Sequence, residues 1–357
     1  MIYLDYQATT PLAPEAREAM LRWLGEEAFG NPHSPHRMGR AAAAAVAVAR
    51  DQVAALLPAG GRVIFTSGAT EALNLAILGR KPLRIAVSAI EHAAVLETAK
   101  ASGARVDILP VSPMGLVAGD ADLADGTDLV AVGQVNNEIG TIQPIAALAE
   151  RAHAAGALLL CDAVQGAGRL AAPEGADMIA LSAHKLHGPK GIGALWVRDG
   201  VEIQPLNHGG GQEGGLRSGT LSPALCAGFG AAAALWVSMR ESDGQHVDRL
   251  WKTARELLPD WTLNGDPDQR WRGNLNLRRD GLDVARLMSD LRDICFSAGS
   301  ACASGSGRPS HVLQAIGLTD SQAKSSIRLG FGRYTEEGEF AEALKRIDAA
   351  AAAQDIG

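Results

Sequence analysis

From about Arg40 to Trp236, short apolar runs rich in β-branched residues alternate with Ala-rich stretches of helical spacing, and this alternation constrains the fold more than any other feature of the chain. The strand candidates are Val63–Thr66, Arg84–Ser88, Val106–Pro110, Leu129–Gly133, Leu158–Cys161, Met178–Leu181 and Ile192–Val197. Between them Ala41–Leu57, Glu71–Leu78, Ala93–Ala101 and Ile145–Ala155 are expected to be helical, with Pro223–Met239 following the last strand. Strands separated by helices return in parallel, so the order predicts an α/β fold with a largely parallel sheet covered on both faces. The last strand pair closes through Gly191 and Gly193 and has room for an antiparallel member.

After about Glu241 the chain becomes more charged. Val247–Leu258 is expected to be helical, strands lie near Asn274–Leu277 and Ile294–Ser297, a Gly/Ser-rich loop follows, and Glu336–Ala353 forms a last helix. At 357 residues the chain exceeds one typical domain. The division expected is a large domain at 14–240 and a smaller α+β domain made of 1–13 and 241–357.

The net charge of −7 comes without a Lys/Arg stripe, which argues against nucleic acid as a partner. The longest apolar stretch, Leu225–Val237, is too short to span a bilayer and is interrupted by Gly228 and Gly230, so no membrane is expected as a partner and a buried helix is expected instead. The N-terminus lacks the basic and apolar regions of a secretory signal, and a cytoplasmic location follows as the expectation. Four cysteines at irregular spacing give neither a disulfide framework nor a CxxC zinc pair, and no stable metal site is expected.

Five segments carry chemistry. In Ala180-Leu-Ser-Ala-His-Lys-Leu-His-Gly-Pro-Lys-Gly-Ile-Gly-Ala-Leu-Trp196, Lys185 sits in a tight connection between two apolar runs, where an amine can form an imine with an aldehyde cofactor; a surface lysine is the plainer alternative. Thr66-Ser-Gly-Ala-Thr-Glu71 joins a strand to a helix and can present backbone N–H groups and the Thr70 hydroxyl to an anion, or simply use Thr70 as an N-cap. His92 follows a strand and can stack on a flat ring or shuttle a proton, or else be a solvated neighbour of a helix start. Asp162 ends a buried strand, where its carboxylate can face a pyridinium N–H, with Gln165 near enough in sequence to reach the ring's oxygen; a helix cap would equally explain Asp162 alone. Taken together, a phosphate turn, a stacking histidine, a carboxylate and an imine-forming lysine describe a pyridoxal phosphate site. The fifth segment is Phe296-Ser-Ala-Gly-Ser-Ala-Cys-Ala-Ser-Gly-Ser-Gly-Arg-Pro-Ser310, in which Cys302 is expected to be an exposed thiol able to ionise. Cys161, Cys226 and Cys295 lie in apolar settings and are expected to pack as small core residues.

The ordered segments Tyr3-Leu-Asp-Tyr-Gln-Ala-Thr-Thr-Pro11, Gly30-Asn-Pro-His-Ser34, Thr66–Glu71, Glu91-His92, Val135-Asn-Asn-Glu-Ile-Gly140, Asp162-Ala-Val-Gln165, Ser182-Ala-His-Lys185, Leu216-Arg-Ser-Gly-Thr220, Gly299-Ser-Ala-Cys302 and Ser325-Ser-Ile-Arg328 make the chain resemble the cysteine desulfurases of the class V aminotransferase family, whose fold is type I among PLP-dependent transferases. The resemblance implies a mixed, mostly parallel seven-stranded sheet plus the smaller domain. It implies pyridoxal 5′-phosphate held covalently by Lys185, with Asp162 on the ring nitrogen and His92 stacked on the ring. Ala69, Thr70, Ser182 and His184 would hold the phosphate, with Thr220 reaching in from the second subunit of a homodimer. Asn137 and Gln165 would contact the cofactor's oxygen side, and Asn137 the substrate as well. Arg328 would grip the carboxylate of L-cysteine, with Asn31 as a second contact. Cys302 would take the sulfur as a persulfide, releasing L-alanine, and pass it to an acceptor such as an iron–sulfur scaffold; its only expected metal role is as a transient iron–sulfur ligand. Cys302 also separates this reading from a transaminase on the same fold, which has no use for that thiol.

Overall fold

All seven apolar runs of the first part become strands of a single sheet: β1 Gly61–Thr66, β2 Arg84–Ser88, β3 Arg105–Leu109, β4 Leu129–Gly133, β5 Leu158–Asp162, β6 Met178–Ser182 and β7 Gly193–Arg198. The computed structural model describes residues 1–25, 28–120, 122–299 and 309–354. The strand order is β1-β7-β6-β5-β4-β2-β3. Only β7 runs against the rest, pairing antiparallel with both β1 and β6. The reason is length: the connection from Ser182 to Gly193 is shorter than a parallel crossover needs.

Alternate residues of the central strands enter two separate cores, as the period of two in a pleated strand requires. Val130, Val132, Leu159, Cys161, Ile179 and Leu181 face one side, where the helices Arg37–Ala54, Ile145–Ala154 and the first half of Pro223–Leu257 cover them. Leu129, Ala131, Leu160, Met178 and Ala180 face the other, under Ala69–Arg80 and Ala93–Ala101. With both faces covered, the open side of the sheet is the edge formed by the C-terminal ends of its parallel strands, where the crevice of such sheets lies.

A third core surrounds a four-stranded antiparallel sheet in the order Ser297–Ala298, Ser326–Gly330, Asn274–Arg278, Thr262–Leu263. The helix Glu337–Ala352 packs there, within one residue of its expected limits at each end. The N-terminal strand Ile2–Tyr3 pairs in parallel with Ile294–Cys295, and Leu4 is fully buried in this core. Residues 5–10 then cross from the small sheet towards β6, which matters for the site below.

Two expectations are corrected. Pro223–Met239 and Val247–Leu258 are not separate helices but parts of one 35-residue helix, Pro223–Leu257. Gly244 costs a helix only about 1 kcal/mol, and the buried Asp243 beside it is held by Arg333, whose Nε donates to Oδ2 at 2.9 Å. The first half carries Phe229 and Trp236 into the large core and the second carries Val247 and Leu250 into the small one. The expected strand Ile294–Ser297 is divided into two short strands in different sheets, with Phe296 between them. Cys161 and Cys226 are buried as expected, whereas Cys295 is only half-buried. Among the described residues no helix is long and apolar enough to cross a membrane.

Candidate active site

The strand ends converge on a cavity of about 570 Å³. Ala69, Thr70, His92, Asn137, Asp162, Gln165, Ser182, His184, Lys185 and Arg328 all line it, so the residues singled out from scattered segments share one space. Thr220 and Asn31 do not: both are exposed, and the Asn31 Oδ1 accepts the His33 N–H at 2.9 Å. Cys302 lies outside the described residues.

Lys185 owes its place to the end of β6. Ser182 closes the strand, and a single 3₁₀ turn, Ala183–Lys185, presents the lysine before the chain turns back towards β7. Its ammonium donates to the carbonyls of Gln7 at 2.5 Å and Ala8 at 2.8 Å. Its own carbonyl accepts from Arg169 Nη2 at 2.7 Å, while Arg169 Nη1 donates to the Gln165 carbonyl at 2.7 Å. Burial pulls the Arg169 guanidinium down to about 10, which still leaves it a cation at neutral pH.

Asp162 closes β5, and its Oδ1 accepts the Val164 N–H at 3.0 Å. Because no helix starts there, the capping alternative falls away. Burial raises its pKa, while the neighbouring His92 and Lys185 act in the opposite sense. His92 turns out to be both things considered for it: it is the N-cap of Ala93–Ala101, with Nδ1 accepting the Ala94 N–H at 3.0 Å, and it is a wall of the cavity. That bond assigns the proton of the neutral ring to Nε2. Burial lowers its pKa, Asp162 raises it, and Lys185 lowers it further.

The phosphate-type turn is built by glycine. Gly68, not Thr70, is the N-cap of Ala69–Arg80 and contributes no side-chain cap, so the first N–H groups of the helix keep their donor capacity. A Cβ placed on Gly68 would meet no atom within 4 Å, whereas one on Gly193 would meet the Leu181 carbonyl oxygen at 2.5 Å and the Gly68 Cα at 2.7 Å. Glycine at 193 therefore lets β7 press against the turn while the turn itself stays open. On the opposite side His184 Nδ1 lies 3.1 Å from Thr9 Oγ1, and burial, reinforced by Lys185 and Lys190, drives its pKa down to about 4. It is a neutral hydrogen-bonding group at physiological pH.

Two contributors were not assigned roles from sequence. The segment 5–10 fastens the site from outside the large sheet: Gln7 and Ala8 line the cavity, Gln165 Nε2 donates to the Gln7 carbonyl at 3.0 Å, and Thr10 Oγ1 donates to the His184 carbonyl at 2.9 Å. The Gln7 amide in turn donates to the Gly273 carbonyl at 2.9 Å. The other is Glu91, buried beside His92, which accepts from Ser88 Oγ at 2.5 Å and from the Gly133 N–H at 3.0 Å. Its signals in the sequence were its adjacency to His92 past a strand and its place in the Glu91-His92 segment of the family resemblance.

The family model for class-V aminotransferases matches residues 2–342. The chain belongs to the class-V aminotransferase family. It is 42% identical to the cysteine desulfurase IscS of Rickettsia bellii, over 97% of this chain and 90% of that protein. A solved NifS-like protein superposes with a TM-score of 0.89 at 31% identity, covering 98% of this chain and 99% of the other. A structure described as SspA in complex with cysteine gives a TM-score of 0.82 at 33% identity, covering 94% and 100% of the two chains. The seven-stranded mixed sheet is the family's fold.

Proposed function

We propose that this enzyme is a cysteine desulfurase that uses pyridoxal 5′-phosphate to move sulfur from L-cysteine to Cys302, leaving L-alanine. The observation that carries the reading is the meeting of Lys185, Asp162 and His92 on the wall of one cavity, each at or just past the end of a strand of the same sheet. The name of its relatives and the cysteine bound in a similar structure support the choice of substrate.

The donor set fits the cofactor. Lys185 would hold its aldehyde carbon, Asp162 its ring nitrogen, and the open turn at Gly68–Thr70, with Ser182 and neutral His184, its phosphate. Asn137 and Gln165 would face its oxygen side, and Thr220 would complete the phosphate site across a homodimer. Once bound, the cofactor withdraws electrons from the α-carbon of the amino acid. The protein then has four tasks. Arg328 holds the carboxylate, Asn31 standing away from the cavity. The Lys185 amine takes the proton from the α-carbon. His92 has only Nε2 turned to this use, because Nδ1 is committed to the Ala94 N–H. The Cys302 thiolate attacks the γ-sulfur as the Cβ–S bond breaks, the electron pair of that bond goes to the carbon skeleton that is protonated to L-alanine, and the persulfide supplies an acceptor such as an iron–sulfur scaffold. The division into 14–240 and 1–13 with 241–357 belongs to the same proposal, as does a cytoplasmic location.

The test is release of L-alanine from cysteine, and of sulfide once an added thiol reductant cleaves the persulfide, by the purified holoenzyme, with and without Cys302→Ala. The variant should keep the cofactor's visible absorbance and lose alanine release. Turnover at the original rate in Cys302→Ala would remove the thiol from the mechanism, and no alanine from the unaltered protein would remove the function. An enzyme confined to selenocysteine would show the second result.

A further inference from the structure

Arg328 is 1% exposed, on the strand Ser326–Gly330, and its guanidinium is already engaged. Nη1 donates to the Asn137 carbonyl at 3.1 Å; Nη2 donates to Asp5 Oδ1 at 2.7 Å and to Ser297 Oγ at 3.4 Å; Nε, buried, has no hydrogen-bond partner among the described residues. Among the described residues the three bonds leave two of a guanidinium's five N–H groups unspent. Asp5 is therefore the resident counter-ion of a buried cation that also borders the cavity. Its backbone is pinned by a bridge to Gly330 and by the Tyr3 hydroxyl, which donates to its carbonyl at 3.1 Å. Asp5 itself is not part of the cavity lining, so any effect it has on a bound molecule passes through Arg328.

We infer that Asp5 is a positioning and specificity residue that limits how tightly Arg328 holds an amino-acid carboxylate. The inference rests on the reading of Arg328 as the carboxylate group's partner in a cysteine desulfurase. Two carboxylates on one guanidinium repel each other, so the fixed charge of Asp5 weakens binding of the second. Substrate and product present the same carboxylate. Without Asp5's charge the cavity would hold both amino acids more tightly and give up L-alanine more slowly; with it, Arg328 stays oriented by a hydrogen bond yet releases the product.

Asp5→Asn separates charge from orientation, because its amide oxygen still accepts from Arg328. In the holoenzyme the KM for L-cysteine and the dissociation constant for L-alanine, measured by calorimetric titration, should fall together by about tenfold. Binding of cysteamine, which lacks the carboxylate, should not move, and Asp5→Glu should stay within about twofold of the original enzyme. If Asp5→Asn does not fold, Asp5→Ser carries the same expectation. A merely structural Asp5 predicts the reverse, weaker binding of all three compounds, and that result or unchanged constants would overturn the inference. Arg328→Lys keeps the two readings apart. If it leaves the KM for cysteine unchanged, the assignment of Arg328 fails; if it raises KM while Asp5→Asn fails to lower it, only the role of Asp5 does.

Discussion

The two walls of the cavity differ in what their chemistry depends on. On the sheet side, His92, Asp162, Ser182 and Lys185 each close or follow the C-terminal end of a strand whose residues are buried on both faces. Their placement is inherited from β2, β5 and β6, and what they do depends on which side chain stands there. The other wall comes from segment 5–10 and the strand Ser326–Gly330. There the groups that touch the site are largely main-chain carbonyls, of Gln7 and Ala8, and Arg328, which is held from behind by its long-range ion pair with Asp5. The first wall should therefore fail when a side chain is changed, and the second when the backbone is displaced.

Lys185→Ala tests the first wall most severely. Removing the amine should abolish the cofactor's visible absorbance and lower turnover by roughly three orders of magnitude or more, while thermal stability changes little. An unchanged absorbance band would mean that another group holds the cofactor, and the contrast between the walls would lose its sheet-side half.

The second wall is tested by Gly330→Ala. A Cβ at that position would meet the Tyr6 backbone nitrogen at 2.6 Å, and the Gln7 side chain lies closer still. Tyr6 N–H donates to the Gly330 carbonyl at 3.3 Å and Gly330 N–H to the Leu4 carbonyl at 2.8 Å, so the crossing segment cannot shift without losing its pairing. The expected cost is roughly 3 kcal/mol of stability in denaturant unfolding. Turnover should fall about tenfold as Lys185 loses its two carbonyl partners, with the absorbance band retained. A variant as stable and active as the original would show that segment 5–10 packs loosely and holds nothing.

The same contrast explains what could be read from the sequence. The seven strands were legible because apolar runs of strand length alternate with helical ones, and Lys185, Asp162 and His92 were legible because each closes or follows such a run. The antiparallel β7 was foreshadowed by its short connection. The pairing of Asp5 with Arg328 spans 323 positions, and no local pattern encodes it. Nor does any residue type announce that a carbonyl, such as that of Gln7, will accept from a lysine. The long helix was misdivided because the change of composition at Glu241 marks a passage from one core to another, not a break in the backbone.

Glu91 lies on the sheet wall yet works by its charge state, so it refines the comparison. Burial pushes its carboxyl up to about 8, against an ordinary value of 4.5, with the nearby Asp162 charge adding to the effect. The Glu91 carboxyl is therefore neutral near pH 7. A carboxyl whose folded pKa is raised holds a proton that the unfolded chain gives up. Its contribution to stability is complete below about 4.5 and is lost as pH rises through about 8. Glu91→Gln fixes the neutral form and keeps an oxygen for Ser88 and the Gly133 N–H. Denaturant unfolding of the holoenzyme should show the original protein losing on the order of 2 kcal/mol more than the variant between pH 5 and 9, with turnover at pH 7 nearly equal. Parallel stability profiles would show that Glu91 ionises like an exposed acid and adds a negative charge beside His92 at neutral pH.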